Sequence, residues 1–311
     1  MDWIAFKTLP LEEVARLVRQ AGPKVCVFPI NGTRRWFLLE HPPGQDEDPI
    51  EAYLQIAGRR HIELYQLLFD HGLDTLLTPV FGPDLVERGP DYMGVAARGL
   101  AMLVTDLRFL EFYAAYGVRV RFYGDHRQFF KATPYAYLPD LFDQLTAATQ
   151  GNHRYRLFFG VCAQDATETI ARLAIEYYRQ TQRVPDKRTL IERYYGEYVG
   201  PVDLFIGFDK LCAFDMPLVA TGNEDLYFTV SPSLYLTEDQ LRGILYDHLY
   251  SRRGGELDYT TVGPEEWELM RRFYRLNQGK TLGVGIRAGN GGVWYPLPQV
   301  AWPAEWPIGD P

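Results

Sequence analysis

The chain has 311 residues, 23% of them charged and 47% hydrophobic, a balance that suits a globular protein built as one large α/β domain or two small ones. Its formal net charge of -8 leaves no basic surplus for neutralising phosphates, which argues against a nucleic-acid partner. No run approaches the ~20 apolar residues of a membrane span, basic residues are too scattered for a polybasic membrane patch, and the opening M-D-W-I-A-F-K has acid early and no long apolar core, so no signal peptide is expected.

Leu11, Val14, Ala15 and Val18 stand at helical spacing, and Ala21-Gly22-Pro23 ends that helix. Lys24 to Trp36 then reads K-V-C-V-F-P-I-N-G-T-R-R-W, the stretch around which the chain is organised. Val25, Cys26, Val27, Phe28 and Ile30 form a short β-branched apolar run, as in a buried strand. It stops at the turn pair Asn31-Gly32 and delivers Arg34 and Arg35 directly afterwards. In a parallel sheet, ligands bind beyond the carboxyl ends of the strands. Backbone N–H groups at such a turn, with two planar guanidiniums, suit a phosphate. An ordinary turn with solvated arginines fits the same letters.

Residues 41–49 form a Pro-rich acidic loop, where Asp46, Glu47 and Asp48 read as solvated rather than as a cation site. A helix is expected over Glu51–Asp70, closed by Gly72. A second buried strand follows at Leu73–Phe81. Turns at Gly82-Pro83 and Gly89-Pro90 lead into one long helix ending near Tyr116, with Leu100, Leu103, Val104, Leu107, Leu110 and Ala114 on its apolar face. Val118–Tyr123 is strand three, followed by Gly124-Asp125-His126-Arg127, in which Asp125 reads as a turn cap. A helix near Asp140–Thr149 precedes strand four at Tyr155–Ala163. Asp165 and Glu168 have the spacing of a capping box for the next helix, and another helix is expected at Lys187–Tyr195.

Val202–Phe208 and Leu226–Val230 complete six strands. Thr237 and Gln240 cap a helix carrying Leu241, Ile244, Leu245 and Leu249. A helix near Pro264–Arg275 leads to a glycine-rich tail with a hairpin turn at Gly289-Asn290-Gly291-Gly292. Gly283-Val284-Gly285 is not followed by a helix, so it is not a dinucleotide fingerprint. The alternation predicts an α/β fold with a central, mostly parallel sheet of about six strands flanked by helices. One domain is expected over residues 1–311, with its core at about 24–250 and a helix-and-hairpin extension at 251–311. Cys26, Cys162 and Cys212 form no C-x-x-C pair and read as free thiols of a cytoplasmic protein. The 14% aromatic content could fill a core or line a cavity for a large apolar ligand.

Several landmarks together resemble the cis-prenyltransferase (undecaprenyl diphosphate synthase) superfamily. Asn31-Gly32-Thr33-Arg34-Arg35-Trp36 is similar to its D-G-N-R/G-R-W/F opening, Gly124-Asp125 to its G-D element, Pro201 to Ile206 to its P-x-D-L-x-I strand, and Asp225-Leu226-Tyr227-Phe228 to its E-L-Y-F. A narrower resemblance runs from Leu11 through Gly292, to diterpene synthases of the tuberculosinol synthase and kolavelool synthase type. It rests on V-F-P-I-N-G-T-R-R-W-F, Y-Y-G-E-Y-V, D-L-F-I-G-F and L-Y-F-T-V-S-P-S.

This resemblance implies an enzyme that ionises one bicyclic C20 diterpenyl diphosphate, releases diphosphate and lets water capture the cation as a diterpene alcohol. It implies catalytic roles for Asn31, Arg34, Arg35, Tyr53 and Tyr92, and substrate contacts from Gly32, Thr33, Trp36 and Arg127. Mg²⁺ and a homodimer are implied as well. Two departures matter. The family's opening aspartate is Asn31 here, and an amide holds Mg²⁺ poorly: either the metal role has moved toward Asp225, or catalysis needs no direct ligand at Asn31, or the amide is an engineered Asp→Asn change. The arginines and serine that elongating members carry after strand five are replaced by Gly207 to Asp215, G-F-D-K-L-C-A-F-D. Losing those charge-assisted contacts, at ~1.5–3 kcal/mol each, speaks against binding a second diphosphate. Chain elongation and a non-catalytic prenyl-diphosphate-binding partner subunit are the alternatives.

Overall fold

The computed structural model describes residues 1–22, 24–42, 48–82, 89–253, 258–288, 293–297 and 300. In chain order, α1 (Trp3–Lys7) and α2 (Leu11–Gln20) precede β1 (Val25–Val27), α3 (Thr33–Glu40), α4 (Pro49–Asp70) and β2 (Thr75–Phe81). Next come α5 (Pro90–Thr105), α6 (Leu107–Tyr116), β3 (Val118–Tyr123), α7 (His126–Phe130), α8 (Leu138–Ala148) and β4 (Tyr155–Val161). Then follow α9 (Thr167–Thr181), α10 (Lys187–Tyr195), β5 (Leu204–Phe208) and β6 (Asp225–Thr229). A 3₁₀ turn at Ser233–Tyr235, α11 (Glu238–Tyr246), a π turn at Asp247–Ser251 and α12 (Pro264–Asn277) complete the helical part. A separate antiparallel pair follows, β7 (Gly285–Ala288) with β8 (Val293–Pro296).

The main sheet has the strand order β3-β4-β2-β1-β5-β6, and every pairing in it is parallel. The period of two along each strand divides the core. Cys26, Phe28, Leu76, Leu157, Phe159, Leu204 and Ile206 face one side, packed with residues of α2, α4, α5, α6, α8 and α11. Val25, Val27, Leu77, Phe158 and Phe205 face the other, packed mainly with α10 and the partly buried side of α9. Both faces are therefore covered, which is why these strands read as near-continuous apolar runs.

Several local expectations need correction. The helix expected to run unbroken to Tyr116 divides at Asp106, whose backbone is extended (ψ 127°) and whose carboxylate accepts from the Arg108 amide as the N-cap of α6. The apolar periodicity continues across the break, so it hid the cap. The Asp165/Glu168 capping box does not form; Ala166 is the N-cap of α9, and Asp165 is left-handed (φ 47°) with its carboxylate taken by the Thr167 hydroxyl. The Asp125 side chain caps nothing and pairs with Arg172 at 2.6 Å. By contrast, Thr237 and Gln240 make the full capping box of α11. Helix α1, capped by Asp2 and burying Phe6, had no counterpart in the sequence reading. Pro23, the loop residues 43–47 with Asp46 and Glu47, Pro83, and the hairpin turn 289–292 lie outside the described residues. Asp48 is described, and it caps α4 by accepting from the Ile50 and Glu51 amides.

Candidate functional site

Strand β1 ends in the middle of the sheet, with β2 on one side and β5 on the other. The chain beyond it leaves the sheet through Phe28, whose N–H still donates to the Leu77 carbonyl at 2.8 Å. Asn31 is then pinned from both directions. Its N–H donates to Ser233 Oγ and its carbonyl accepts from the Ser233 N–H, each at 3.1 Å. Ser233 is buried, and its 3₁₀ turn is tied to α4 by Arg60, which donates to the Leu234 and Leu236 carbonyls. The turn after β1 is thus a held structure rather than a free loop.

Gly32 follows in the left-handed region (φ 75°, ψ 12°) as N-cap of α3. A Cβ there would lie 2.8 Å from the Phe208 ring, so both conformation and space require glycine. The reversal aims the first turn of α3 at a groove of about 560 Å³ at the carboxyl ends of β1 and β5. The leading N–H groups of a helix have no intrahelical acceptor, and their dipoles point positive charge outward. Arg34 and Arg35 sit in that turn, both exposed, beside the Asn31 amide. This is a ready-made anion cradle. Arg35 Nη1 lies 3.7 Å from Asp209 Oδ2, and its guanidinium lies over the Phe208 ring.

The cradle opens onto apolar space. Ile30, Thr33, Val80 and Tyr92 line the anion groove and also a cavity of about 160 Å³ between α4 and α5. The cavity walls include Leu54, Ala57, Val95, Leu100, Leu103 and Phe109. A second apolar recess, of about 390 Å³, lies between α3 and α5 against Phe37, Leu38 and Ile50, and it meets the first at Tyr53, Tyr92 and Val95. Tyr53 stands at this junction with its hydroxyl 2.9 Å from Thr33 Oγ1. His61, two helical turns beyond Tyr53 on α4, lines the inner cavity, and its Nε2 is shut away without a partner. Burial pushes its imidazole down to about 4, so the ring is neutral at pH 7.

The structure brings together Asn31, Gly32, Thr33, Arg34, Arg35, Tyr53 and Tyr92. Trp36 is adjacent, but its ring packs edge-on against Tyr235 and His41 rather than lining the groove. Arg127 belongs elsewhere. It pairs with Asp143 in a separate groove beside β3, three strands from β1 and so roughly 14 Å across the sheet.

Asp225 is not part of this site either. It is the first residue of β6, level with Leu204 at the amino end of β5, roughly 13 Å along the strand from the cradle. Its carboxylate is engaged by His248 Nδ1 at 2.6 Å and by Arg252. The cradle's own donor set fits Mg²⁺ poorly. It offers one amide and one carboxylate, Asp209, already beside Arg35, and among the described residues no group of three metal-ligating side chains occurs. Residues overlooked in the sequence are Asp209, Lys210 and Phe214 on the facing wall, and His61 in the cavity. The position just past β5 was the available signal for the first three; His61 had none, because helical spacing alone does not separate a cavity wall from core.

No protein-family model matches the chain. The chain is 42% identical over 292 residues to a tuberculosinyl adenosine transferase of Mycobacterium tuberculosis (strain CDC 1551 / Oshkosh), covering 93% of this chain and 96% of the relative. It is 26% identical over 285 residues to a (+)-kolavelool synthase of Herpetosiphon aurantiacus, covering 90% and 91%. Among solved structures it is similar to a lavandulyl diphosphate synthase from Lavandula x intermedia (TM-score 0.54, 15% identity, 76% of this chain and 98% of that one). A probable undecaprenyl diphosphate synthase from Campylobacter jejuni gives a TM-score of 0.52 at 13% identity, covering 75% and 98%. Among the described residues no helix is long and apolar enough to cross a membrane.

Proposed function

Since the chain belongs to the family of the tuberculosinyl adenosine transferase and has the cis-prenyltransferase fold, we propose that it is a prenyl-diphosphate-processing enzyme that ionises a single bicyclic C20 diterpenyl diphosphate and hands the allylic cation to an uncharged acceptor. The observation that carries this reading is the continuity of an anion cradle with apolar space through Ile30, Thr33, Val80 and Tyr92. One end of the groove suits a diphosphate and the other a hydrocarbon. Burying the skeleton would contribute ~0.8 kcal/mol per CH₂ group.

In this reading the diphosphate rests on the free N–H groups of the first turn of α3, between Arg34 and Arg35, with the Asn31 amide donating a further hydrogen bond. The C–O bond breaks with its electron pair leaving on diphosphate. Each donor aimed at that growing charge is worth roughly 2.7–4 kcal/mol. The ring faces of Tyr53 and Tyr92, at the junction of cradle and cavity, stabilise the cation by ~0.5–2 kcal/mol. No step is assigned to Mg²⁺, because the cradle's donors fit it poorly.

The relative at 42% identity is a transferase to adenosine, which supports an adenine nitrogen as the nucleophile, its lone pair forming the new bond to carbon. The relative at 26% identity favours a second reading in which water is the acceptor and the product is a diterpene alcohol. A homodimer is also part of the proposal, and sedimentation equilibrium tests it. Incubation with linear and bicyclic C20 diphosphates, with and without adenosine, separates the readings by product. A prenylated nucleoside supports transfer and an alcohol supports hydration. Elongated chains with isopentenyl diphosphate, or tight binding with no product, would overturn the proposal.

A further inference from the structure

The loop from Phe208 to Phe214 forms the wall facing α3 across the anion groove, and its chemistry differs from that of the cradle. It offers the Asp209 carboxylate and the rings of Phe208 and Phe214, with Lys210 between them. Asp209 is held left-handed (φ 70°), a conformation rare for residues other than glycine and concentrated at functional sites. Asp215 and Leu218, further along the same loop, are left-handed too. Two buried tyrosines hold the segment from below. Tyr123 donates to the Asp215 carbonyl at 3.0 Å, and Tyr195 to the Pro217 carbonyl at 2.8 Å. These two bonds anchor the chain where it leaves the wall.

Charge then decides what the wall can accept. A diphosphate in the cradle draws on Arg34, Arg35 and the start of α3. A second anion in the same groove would meet that diphosphate and the Asp209 carboxylate, against Lys210 and an already shared Arg35. An uncharged molecule meets neither repulsion. Its N–H or O–H groups find an acceptor in Asp209, and a flat ring finds the Phe214 ring beside it. We infer that Asp209 makes this groove selective for a flat, uncharged hydrogen-bond donor, a nucleobase or its nucleoside, as second substrate. This rests on the proposal that the Arg34–Arg35 turn holds the diphosphate. Asp209 acts here as a specificity-determining residue: the acceptor nitrogen supplies the electron pair of the new C–N bond, the C–O pair leaves with diphosphate, and Asp209 holds the acceptor's exocyclic donor.

Calorimetry on the full chain tests this without relying on turnover. Protein saturated with inorganic pyrophosphate is titrated with isopentenyl diphosphate, and separately with adenosine. The expected result is that Asp209→Asn binds isopentenyl diphosphate at least tenfold more tightly than wild type, Asp209→Glu behaves as wild type, and Asp209→Ala binds adenosine at least tenfold more weakly. Equal isopentenyl diphosphate affinity in wild type and Asp209→Asn, or adenosine that ignores the Asp209→Ala change, overturns the inference. Pyrophosphate binding unaffected by Arg34→Ala and Arg35→Ala would instead sink the diphosphate site itself, whatever Asp209 does.

Discussion

Arg34 and Arg35 are exposed side chains, and Arg35 makes only a long contact to Asp209 and a stacking contact over the Phe208 ring among the described residues, so their removal tests function more than folding. Arg35→Ala or Arg34→Ala is expected to lower kcat by about 10²–10³-fold, the loss of one donor to developing charge, with little change in melting temperature. Steady-state rates beside thermal melts check both halves. Asn31 is a different case. Its backbone is fixed by Ser233, and it lines the groove as an amide residue where the resembled family pattern has a carboxylate. Asn31→Asp adds the oxygen charge that Mg²⁺ prefers, so the variant should become more steeply dependent on Mg²⁺ than wild type. A metal titration of both proteins measures it, and parallel curves would refute the idea that this position sets metal use. At Tyr53 the hydroxyl and the ring are separable. Tyr53→Phe removes one hydrogen bond to Thr33, about 0.5–1.5 kcal/mol, whereas Tyr53→Leu removes the ring face as well and should cost more turnover.

Among the elements, β1 and α3 matter through the reversal between them. Gly32→Ala places a methyl group against the Phe208 ring and strains a left-handed residue by about 1–2 kcal/mol. The variant should melt lower and lose turnover together, because the same φ that relieves the clash aims the start of α3. Asp106 offers the contrast. It caps α6 at the break with α5, beyond the apolar cavity's lining. Asp106→Ala should destabilise by about 1 kcal/mol, seen as a lower denaturant midpoint, while KM for the diphosphate stays at the wild-type value. A large KM change would mean that the α5–α6 break shapes the pocket.

Across the whole molecule, acid is the expected weak point. His61 and His126 are both pushed from 6.5 down to about 4, by burial first and, at His126, by the Arg127 charge second. Between those values the unfolded chain binds more protons than the folded one, so stability rises with pH through that window. The contribution is fully present above pH 6.5 and fades as pH falls toward 4, at most roughly 3 kcal/mol for each histidine. Melting temperatures taken from pH 7.5 down to pH 4.5 should therefore drop steeply below 6.5, and His126→Asn should flatten part of that slope. An unchanged slope would mean that these rings gain solvent in the folded state.

Much of this architecture was legible because it depends on local periodicity. Six apolar runs with helices between them imply a two-faced parallel sheet, and the Asn31-Gly32 turn followed by paired arginines suits an anion at a strand's end as well as it suits solvated side chains. The break at Asp106 was not legible, because a cap competes with apolar spacing and only packing shows which prevails. Nor could the chain order show that Asp225 begins its strand at the end of the sheet away from Asn31, or that Arg127 lies three strands off, since motif order carries no distance. Residue types and spacing determined that a strand's end hands two arginines to a helix start, an arrangement suited to an anion. Tertiary structure alone decided that the groove opens onto apolar space and faces Asp209, because those contacts join residues from the loop after β1, α3, α4, β2, α5 and the loop after β5, and sequence-distant groups meet only when the sheet closes.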